Sequence, residues 1–343
     1  MDGTPPQLRH IVAPVSPFSE EADRHTVTWA RINGLVWSES AERRLAATKP
    51  GLLAAHCYPS ASCTDLCLLA DWMTWLFLLD DQIDEGEHSL RPDALERELT
   101  AVYWAGVGHA PPETGGGPLG AALGDILHRL EGREVSDRRW LLRFHQHLLE
   151  YFTACVWQAA HRATGHLLSP ETFPEMRRRA GAIMPSFDLI EVVEGTVLAP
   201  GVYYSNVYQR LLTTAANVVC WTNDVMTWEK EAAHGDPHNL VLLVSQTRGV
   251  QVDQAIAYVV ADTDREIGRF LAAERELADE LRQLDPGREK LSACVALLRA
   301  WMRGHVEWGR ETARYREVAQ SGGALKDLED LFTGHSVSGS AYE

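Results

Sequence analysis

The stretch Trp72-Met73-Thr74-Trp75-Leu76-Phe77-Leu78-Leu79-Asp80-Asp81-Gln82-Ile83-Asp84-Glu85 decides the fold. Up to Leu79 it is apolar on nearly every side, the pattern of a helix sunk in a protein core. The run is far short of the ~18 residues that cross a bilayer. Beyond it come Asp80, Asp81 and Asp84. At ~100° per residue Asp84 falls ~40° from Asp80, and Asp81 ~100° from it, so three carboxylates share one side of a helix end. There they repel one another and meet the negative end of the helix dipole. A hard cation relieves both, because Mg²⁺ takes carboxylate oxygens and keeps waters for a phosphate. A solvated acidic helix end is the plainer alternative. Met73, Leu76 and Phe77 lie on the face of Asp80, however, so the acids rim an apolar wall. A calcium EF-hand fails, since it wants Gly at 85 and Glu at 91, which are Glu and Arg.

Outward from this stretch the pattern stays helical and contains no convincing sheet. Helices are expected over about 21–33, 38–47, 61–85, 91–106, 117–132, 136–164, 170–194, 205–232, 238–248, 250–283 and 286–318. Residues 1–20 carry four prolines and read as a flexible N-terminal arm. The segment 106–120, rich in Gly and Pro, reads as a surface loop, Gly235-Asp236-Pro237 as a stop, and 319–343 as a mobile C-terminal tail. With 343 residues, two domains are allowed at ~150 each. No repeat or linker separates two cores, so one all-α domain over 21–318 is the expected organisation.

The chain carries 48 acidic and 32 basic side chains, a formal net charge of −16. That argues against a nucleic-acid partner, which calls for a basic face. It leaves room for an anionic substrate, because bound divalent cations invert the local charge. The N-terminus lacks the basic and apolar regions of a signal peptide, and nothing predicts membrane insertion; a cytoplasmic protein is expected. The six cysteines show no paired spacing, in keeping with a reducing compartment. His56, Cys57, Cys63 and Cys67 include no CxxC pair, and core packing explains them better than zinc.

A second oxygen-rich cluster closes another apolar helix. In Asn223-Asp224-Val225-Met226-Thr227-Trp228-Glu229-Lys230-Glu231 the residues Asn223, Thr227 and Glu231 recur every four positions. Amide, hydroxyl and carboxylate therefore line one face, below an apolar wall of Ala216, Val219 and Cys220. All three offer hard oxygen ligands, and Lys230 beside them reaches a phosphate as a point charge. An ordinary capped helix end is the alternative for this cluster alone.

Together the two clusters resemble the metal motifs of class I terpene synthases, most closely the bacterial terpene cyclases of single-domain size. Asp80-Asp81-Gln82-Ile83-Asp84 is similar to their aspartate-rich motif, and Asn223, Thr227 and Glu231 match the second motif, with Thr at its Ser/Thr position. The resemblance covers about residues 20–318. It implies an all-α, single-domain helical bundle around a central apolar pocket, binding three Mg²⁺ ions with a prenyl diphosphate. It further implies metal ligation by Asp80, Asp84, Asn223, Thr227 and Glu231, Asp84 acting through water. Arg177 stands 46 residues before Asn223, where the family carries a diphosphate-sensing arginine, and Arg314-Tyr315 fits the family's pair near the end of the last long helix. Arg177, Lys230, Arg314 and Tyr315 are thereby implied as donors to the diphosphate. A tendency to pair as a homodimer belongs to the family, without an interface signal here.

Pro185 adds a mechanical expectation of its own. It has no N–H for the carbonyl of Gly181, four residues back, so the 170–194 helix should kink between 181 and 184 and free that carbonyl. In the family the equivalent carbonyl faces the substrate's allylic carbon. The residue before it, often Asp in the family, is Ala180 here, and an Ala side chain cannot bond Arg177. Trp301, Trp308 and Tyr315, spaced by seven, share a face, and Phe77 and Trp308 are expected to line the pocket and stabilise passing carbocations. His234 and His238 read as part of the loop after the second cluster.

The expected reaction is cyclisation of farnesyl diphosphate to a sesquiterpene, with a diterpene from geranylgeranyl diphosphate as the alternative. Ordering of 232–240 and 316–343 would exclude water. A chain-elongating prenyltransferase should carry aspartate-rich motifs at both clusters, and a protonation-initiated cyclase a DxDD run, which Leu78 breaks. A non-catalytic cation-binding helical module accounts for the acids but not for Arg177, Gly181 and Arg314-Tyr315 together.

Overall fold

In a computed structural model the chain is described over residues 3–12, 14–86, 88–109, 115–133, 137–165, 169–281, 288–315 and 330–333. A short turn of 3₁₀ helix, Gln7–His10, precedes fourteen α-helices among these residues: α1 Ser19–Ile32, α2 Glu39–Thr48, α3 Pro50–Cys57, α4 Cys63–Glu85, α5 Pro92–Gly106, α6 Gly117–Glu131, α7 Arg138–Thr164, α8 Phe173–Ala180, α9 Ile183–Val193, α10 Pro200–Tyr203, α11 Asn206–His234, α12 Leu240–Arg248, α13 Val252–Leu281 and α14 Arg288–Glu311. The described residues contain no strand, and none of their helices is long and apolar enough to cross a membrane.

α4 is the central helix. Ser62 caps it, its Oγ accepting the N–H of Asp65 at 3.1 Å, which satisfies one of the orphan donors of a helix start. α1, α3 and α6 pack around it, and Trp72 and Trp75 are fully buried within it. Their indole N–H groups are satisfied across the core, Trp72 by Ser186 Oγ at 3.0 Å and Trp75 by the Leu119 carbonyl at 2.9 Å. α11 starts on a Ser205 cap and stops at Gly235, whose φ of 73° is the left-handed turn that glycine adopts freely. It packs against α13 and α14, bringing its polar end beside that of α4.

Several elements depart from the sequence expectation. α3 was not foreseen: it is apolar all round and buried on every side, so it carries no amphipathic period, and Lys49 at φ 52° turns the chain into it. The 170–194 helix is two helices, because Ala182 adopts a left-handed φ of 50° between α8 and α9. The last helix ends at Glu311, short of 318. Thr312 Oγ1 donates to the Thr48 carbonyl at 2.9 Å and Ala313 N to that of Ala47 at 3.1 Å, which pulls the chain off the helix axis. Arg314 and Tyr315 therefore sit in a turn after it.

The terminal segments also differ. The supposed flexible arm is packed where described: Leu8 is fully buried and its carbonyl accepts from Arg303 at 3.1 Å, while Gln7 N donates to Asp264 Oδ1 at 2.8 Å. Of the supposed mobile tail, residues 319–329 and 334–343 lie outside the described residues. Within 330–333 Leu331 and Phe332 are buried. Leu331 N donates to Gln82 Oε1 at 3.2 Å, and its carbonyl accepts from Leu119 N at 3.3 Å.

Candidate active site

The polar ends of α4 and α11 open onto one cavity of ≈ 590 Å³, within the range of ligand clefts. Asp80, Asp84, Asn223, Thr227 and Glu231 all line it, with Arg177, Gly181, Lys230, Arg314, Tyr315, Phe77 and Trp308. The five proposed metal ligands and the proposed diphosphate donors, far apart in sequence, thus share one space.

On the first side each carboxylate meets an arginine. Arg314 straddles the helix end, Nη2 2.8 Å from Asp80 Oδ2 and Nη1 2.9 Å from Asp81 Oδ1. Its guanidinium lies over the Phe77 ring, 4.6 Å from the centroid. Asp84 Oδ1 accepts from Arg162 Nη1 at 3.0 Å. Burial and the charge of Asp80 push the Asp84 carboxyl up to about 7. Its side chain is nonetheless 42% exposed into the cavity, so water there offsets part of that penalty.

The second side is more enclosed. Arg177 donates through Nε to Asp224 Oδ1 at 2.8 Å and through Nη2 to Asn223 Oδ1 at 2.7 Å. Asn223 Nδ2 donates to the Tyr315 hydroxyl at 2.8 Å. Thr227 Oγ1 lies 2.8 Å from Glu231 Oε1, to which it donates, and Asn239 Nδ2 donates to Glu231 Oε2 at 2.6 Å. Burial, then the charge of Asp224, raises the Glu231 carboxyl to about 8. An amide oxygen, a hydroxyl and a carboxyl facing one cavity make an all-oxygen donor set, which suits a hard divalent cation, and the cation's charge would favour the ionised form of Glu231. The residues therefore fit the metal that the motifs imply.

Ala180 plays no part in anchoring Arg177; Asp224 does. Asp224 escapes a face-by-face reading because it lies ~100° from Asn223 on the helix, and its partner is remote in sequence. Gly181 sits against the same guanidinium: a Cβ there would stand 3.1 Å from Arg177 Nη1 and 3.2 Å from Cys220 Sγ. Its φ of −81° is ordinary, so the need for glycine is steric. Pro185 offers no N–H to the Gly181 carbonyl, and no hydrogen bond seen among the described residues ends on it.

Phe77 and Trp308 stack with centroids 5.4 Å apart and planes 14° from parallel. Trp308 Nε1 is fixed by the carbonyls of Thr48 and Lys49 at 2.9 and 3.0 Å, and Tyr315 meets its ring edge-on at 5.4 Å. His305, unremarked in the sequence, lines the cavity with Nε2 3.4 Å from the Tyr315 hydroxyl. Burial and the charge of Arg177 hold its imidazole down to about 3, hence neutral.

Comparison with known proteins places the chain by family and fold. Residues 71–269 match the family model described as terpene synthase family 2, C-terminal metal binding. The chain is 44% identical over 310 residues to (-)-delta-cadinene synthase of Streptomyces clavuligerus, covering 89% of this chain and 93% of that protein. It is 32% identical to a (+)-T-muurolol synthase of Roseiflexus castenholzii described as (2E,6E)-farnesyl diphosphate cyclizing, covering 90% and 92%. Among solved structures, linalool/nerolidol synthase from Streptomyces clavuligerus superposes with a TM-score of 0.78 at 27% identity, covering 87% of this chain and 98% of that one. Germacradien-4-ol synthase from Streptomyces citricolor gives 0.75 at 27% identity, covering 88% and 96%.

Proposed function

The chain belongs to the class I terpene synthases of bacteria, and from that premise we propose that it ionises and cyclises farnesyl diphosphate to a sesquiterpene, releasing diphosphate. As a member it is an enzyme that acts on a prenyl diphosphate and carries a divalent-metal site. The C15 substrate is supported by the muurolol synthase relative, whose description specifies farnesyl diphosphate. The observation that carries the reading is the meeting of two oxygen-rich helix ends with Arg177, Lys230, Arg314 and Tyr315 in one cavity that Phe77 and Trp308 also line.

In this reading Asp80 and, through water, Asp84 would hold Mg²⁺ on one side, and Asn223, Thr227 and Glu231 on the other, with three ions expected in all. Mg²⁺ when bound supplies charge that stabilises the departing diphosphate and makes C–O heterolysis feasible. On the same reading diphosphate takes over donors that now serve protein oxygens. Arg314 leaves Asp80 and Asp81, Arg177 leaves the Asn223 oxygen, and each takes diphosphate oxygens instead, for which a planar donor fork is suited. Asp224 keeps its hold on Arg177 Nε and so aims the remaining N–H groups. The free carbonyl of Gly181 presents its negative end to the allylic carbon as positive charge develops. Phe77 and Trp308 stabilise later cations without offering a nucleophile. Deprotonation or water capture ends the sequence.

Incubation with Mg²⁺ and the C10, C15, C20 and C25 diphosphates, analysed by gas chromatography, tests this. A cyclic product from the C15 substrate is expected; intact substrate or simple hydrolysis alcohols throughout would sink the cyclase reading, and turnover confined to C20 would replace it with a diterpene cyclase. Asn223→Ala combined with Glu231→Ala should abolish product while the helical circular dichroism persists. Retained turnover would remove the second cluster from the mechanism.

A further inference from the structure

A chain of contacts outside both motifs joins the two oxygen-rich helix ends. Arg162, two residues from the end of α7, donates through Nη1 to Asp84 Oδ1 at 3.0 Å and to Asp236 Oδ2 at 2.7 Å. Asp236 lies in the turn that follows α11, where its Oδ1 accepts from His238 N at 2.9 Å and lies 2.5 Å from His238 Nδ1. The His238 ring packs against Trp157 of α7, centroids 5.7 Å apart. The next residue, Asn239, is fully buried. Its Nδ2 donates to Glu231 Oε2 at 2.6 Å and to the Asp224 carbonyl at 2.9 Å, while its Oδ1 caps α12 by accepting from Val241 N at 2.8 Å. The path thus runs from Asp84 through Arg162, Asp236 and Asn239 to Glu231.

We propose that Arg162, Asp236 and Asn239 form a strut that sets the separation of the two metal-binding helix ends, so that cation binding at one finds the other already in place. This rests on the metal-site reading above and extends it to residues outside both motifs; Arg162 and Asp236 reach the cavity wall, and all three act here through the carboxylates they hold, as positioning residues. Two features separate a strut from an incidental surface ion pair. Arg162 is only 8% exposed, which makes removal of one of its partners far more disruptive than in a solvated pair. Its Nη2 is buried and without a hydrogen-bond partner among the described residues, so the guanidinium is set for its carboxylates rather than for full satisfaction of its own donors. Outer groups that orient ligating carboxylates typically govern metal affinity by ~10–100-fold. Preplacement of one motif by the other is a coupling free energy of the ordinary kind.

The test uses the full chain, inorganic diphosphate and Mg²⁺, read by isothermal titration and by the shift in melting temperature. Arg162→Gln, Asp236→Asn, their combination and Arg162→Lys are compared with wild type. The Mg²⁺ concentration that half-saturates diphosphate binding should rise about tenfold in each single variant. The double variant should be no worse than the singles, because both break one path. Arg162→Lys should recover part of the loss. An unchanged Mg²⁺ midpoint in Asp236→Asn, or losses that add in the double variant, would overturn the strut. Should Arg162→Gln fail to fold, Asp236→Asn alone decides, since it leaves Arg162 paired with Asp84. Absence of diphosphate binding by wild type at any Mg²⁺ level would instead overturn the metal-site reading itself. That outcome is distinct from one in which wild type and variants bind alike.

Discussion

Arg177 and Asp224 form an ion pair with Nε 2.8 Å from Oδ1, and Asp224 is fully buried. The second oxygen of Asp224 accepts the Leu240 N–H at 2.9 Å, so the carboxylate is fixed from two sides and fixes Arg177 in turn. Asp224→Asn keeps the shape but weakens the grip on the guanidinium. Product formation from farnesyl diphosphate should fall by about a hundredfold, the scale of a ~1 Å misplacement of a reacting or binding group. Single-turnover rates beside melting curves check it: an unchanged rate in a folded variant would show that Arg177 needs no anchor.

A second buried network makes a pH prediction. Arg143 donates through Nε to Asp188 Oδ1 at 2.8 Å and through Nη2 to Glu191 Oε1 at 2.5 Å, and His147 Nδ1 lies 2.6 Å from Asp188 Oδ2. Tyr203 stacks on the Arg143 guanidinium at 3.8 Å, and Leu198 N donates to Glu191 Oε2 at 2.8 Å. Burial pushes the Glu191 carboxyl up to about 7. Burial alone would lower the His147 pKa, but the charge of Asp188 and its hydrogen bond raise it. Both groups therefore hold protons more tightly folded than unfolded. Their stabilisation is complete at low pH and is lost as pH rises through these raised values. Urea unfolding should show stability declining as pH rises from the ordinary carboxylate range through about 7, where Glu191 gives up its proton, and His147 should carry the decline on above the ordinary imidazole value, by at most ~1.4 kcal/mol per pH unit for each proton concerned. His147→Gln should flatten the slope; a wild-type profile that rises with pH would contradict the assignment.

How much of this the sequence disclosed depends on whether the signal was local. α4 and α11 were legible because a core run followed by oxygen ligands at helical spacing is written in consecutive residues. α3 was not, because a helix buried on all sides has no polar face to give it a period. The break before α9 was placed by Pro185, but the left-handed residue is Ala182, a strain that only the packing around it can hold. Arg177 was found by its distance from Asn223, whereas its partner Asp224 and the Arg162–Asp236 contact join residues 47 and 74 positions apart and leave no local trace.

The segment 330–333 gives a stability prediction with a functional edge. Phe332 is buried at 3% exposure and its ring meets His88 at 5.7 Å. A Cβ on Gly117 would stand 2.2 Å from the Phe332 carbonyl oxygen, so the segment lies directly on the start of α6. Phe332→Ala should cost ~3–5 kcal/mol, the range for a buried aromatic. The adjacent Leu331 N–H is the donor to Gln82, between Asp81 and Asp84, so turnover should fall as well, with Km for Mg²⁺ rising. Denaturant midpoints and Mg²⁺ titrations of activity measure the two effects, and a variant as stable as wild type would show that the segment does not hold.

The aromatic wall allows the sharpest separation of binding from chemistry. Trp308 stacks on Phe77, while its N–H is already satisfied by the Thr48 and Lys49 carbonyls; toward the cavity it can present only a π face. An aromatic face near a desolvated cation is worth up to about 2 kcal/mol, or roughly thirtyfold in the partitioning of an intermediate. Trp308→Leu removes that face and leaves Arg177, Lys230 and Arg314 in place. Diphosphate release should therefore persist, measured by a coupled phosphate assay, while the gas chromatogram shifts from the main cyclic product toward acyclic and early-terminated ones. Loss of diphosphate release in step with the cyclic product would mean that Trp308 serves ionisation or folding. An unchanged product profile would take the ring out of cation stabilisation and leave it a packing residue against Phe77.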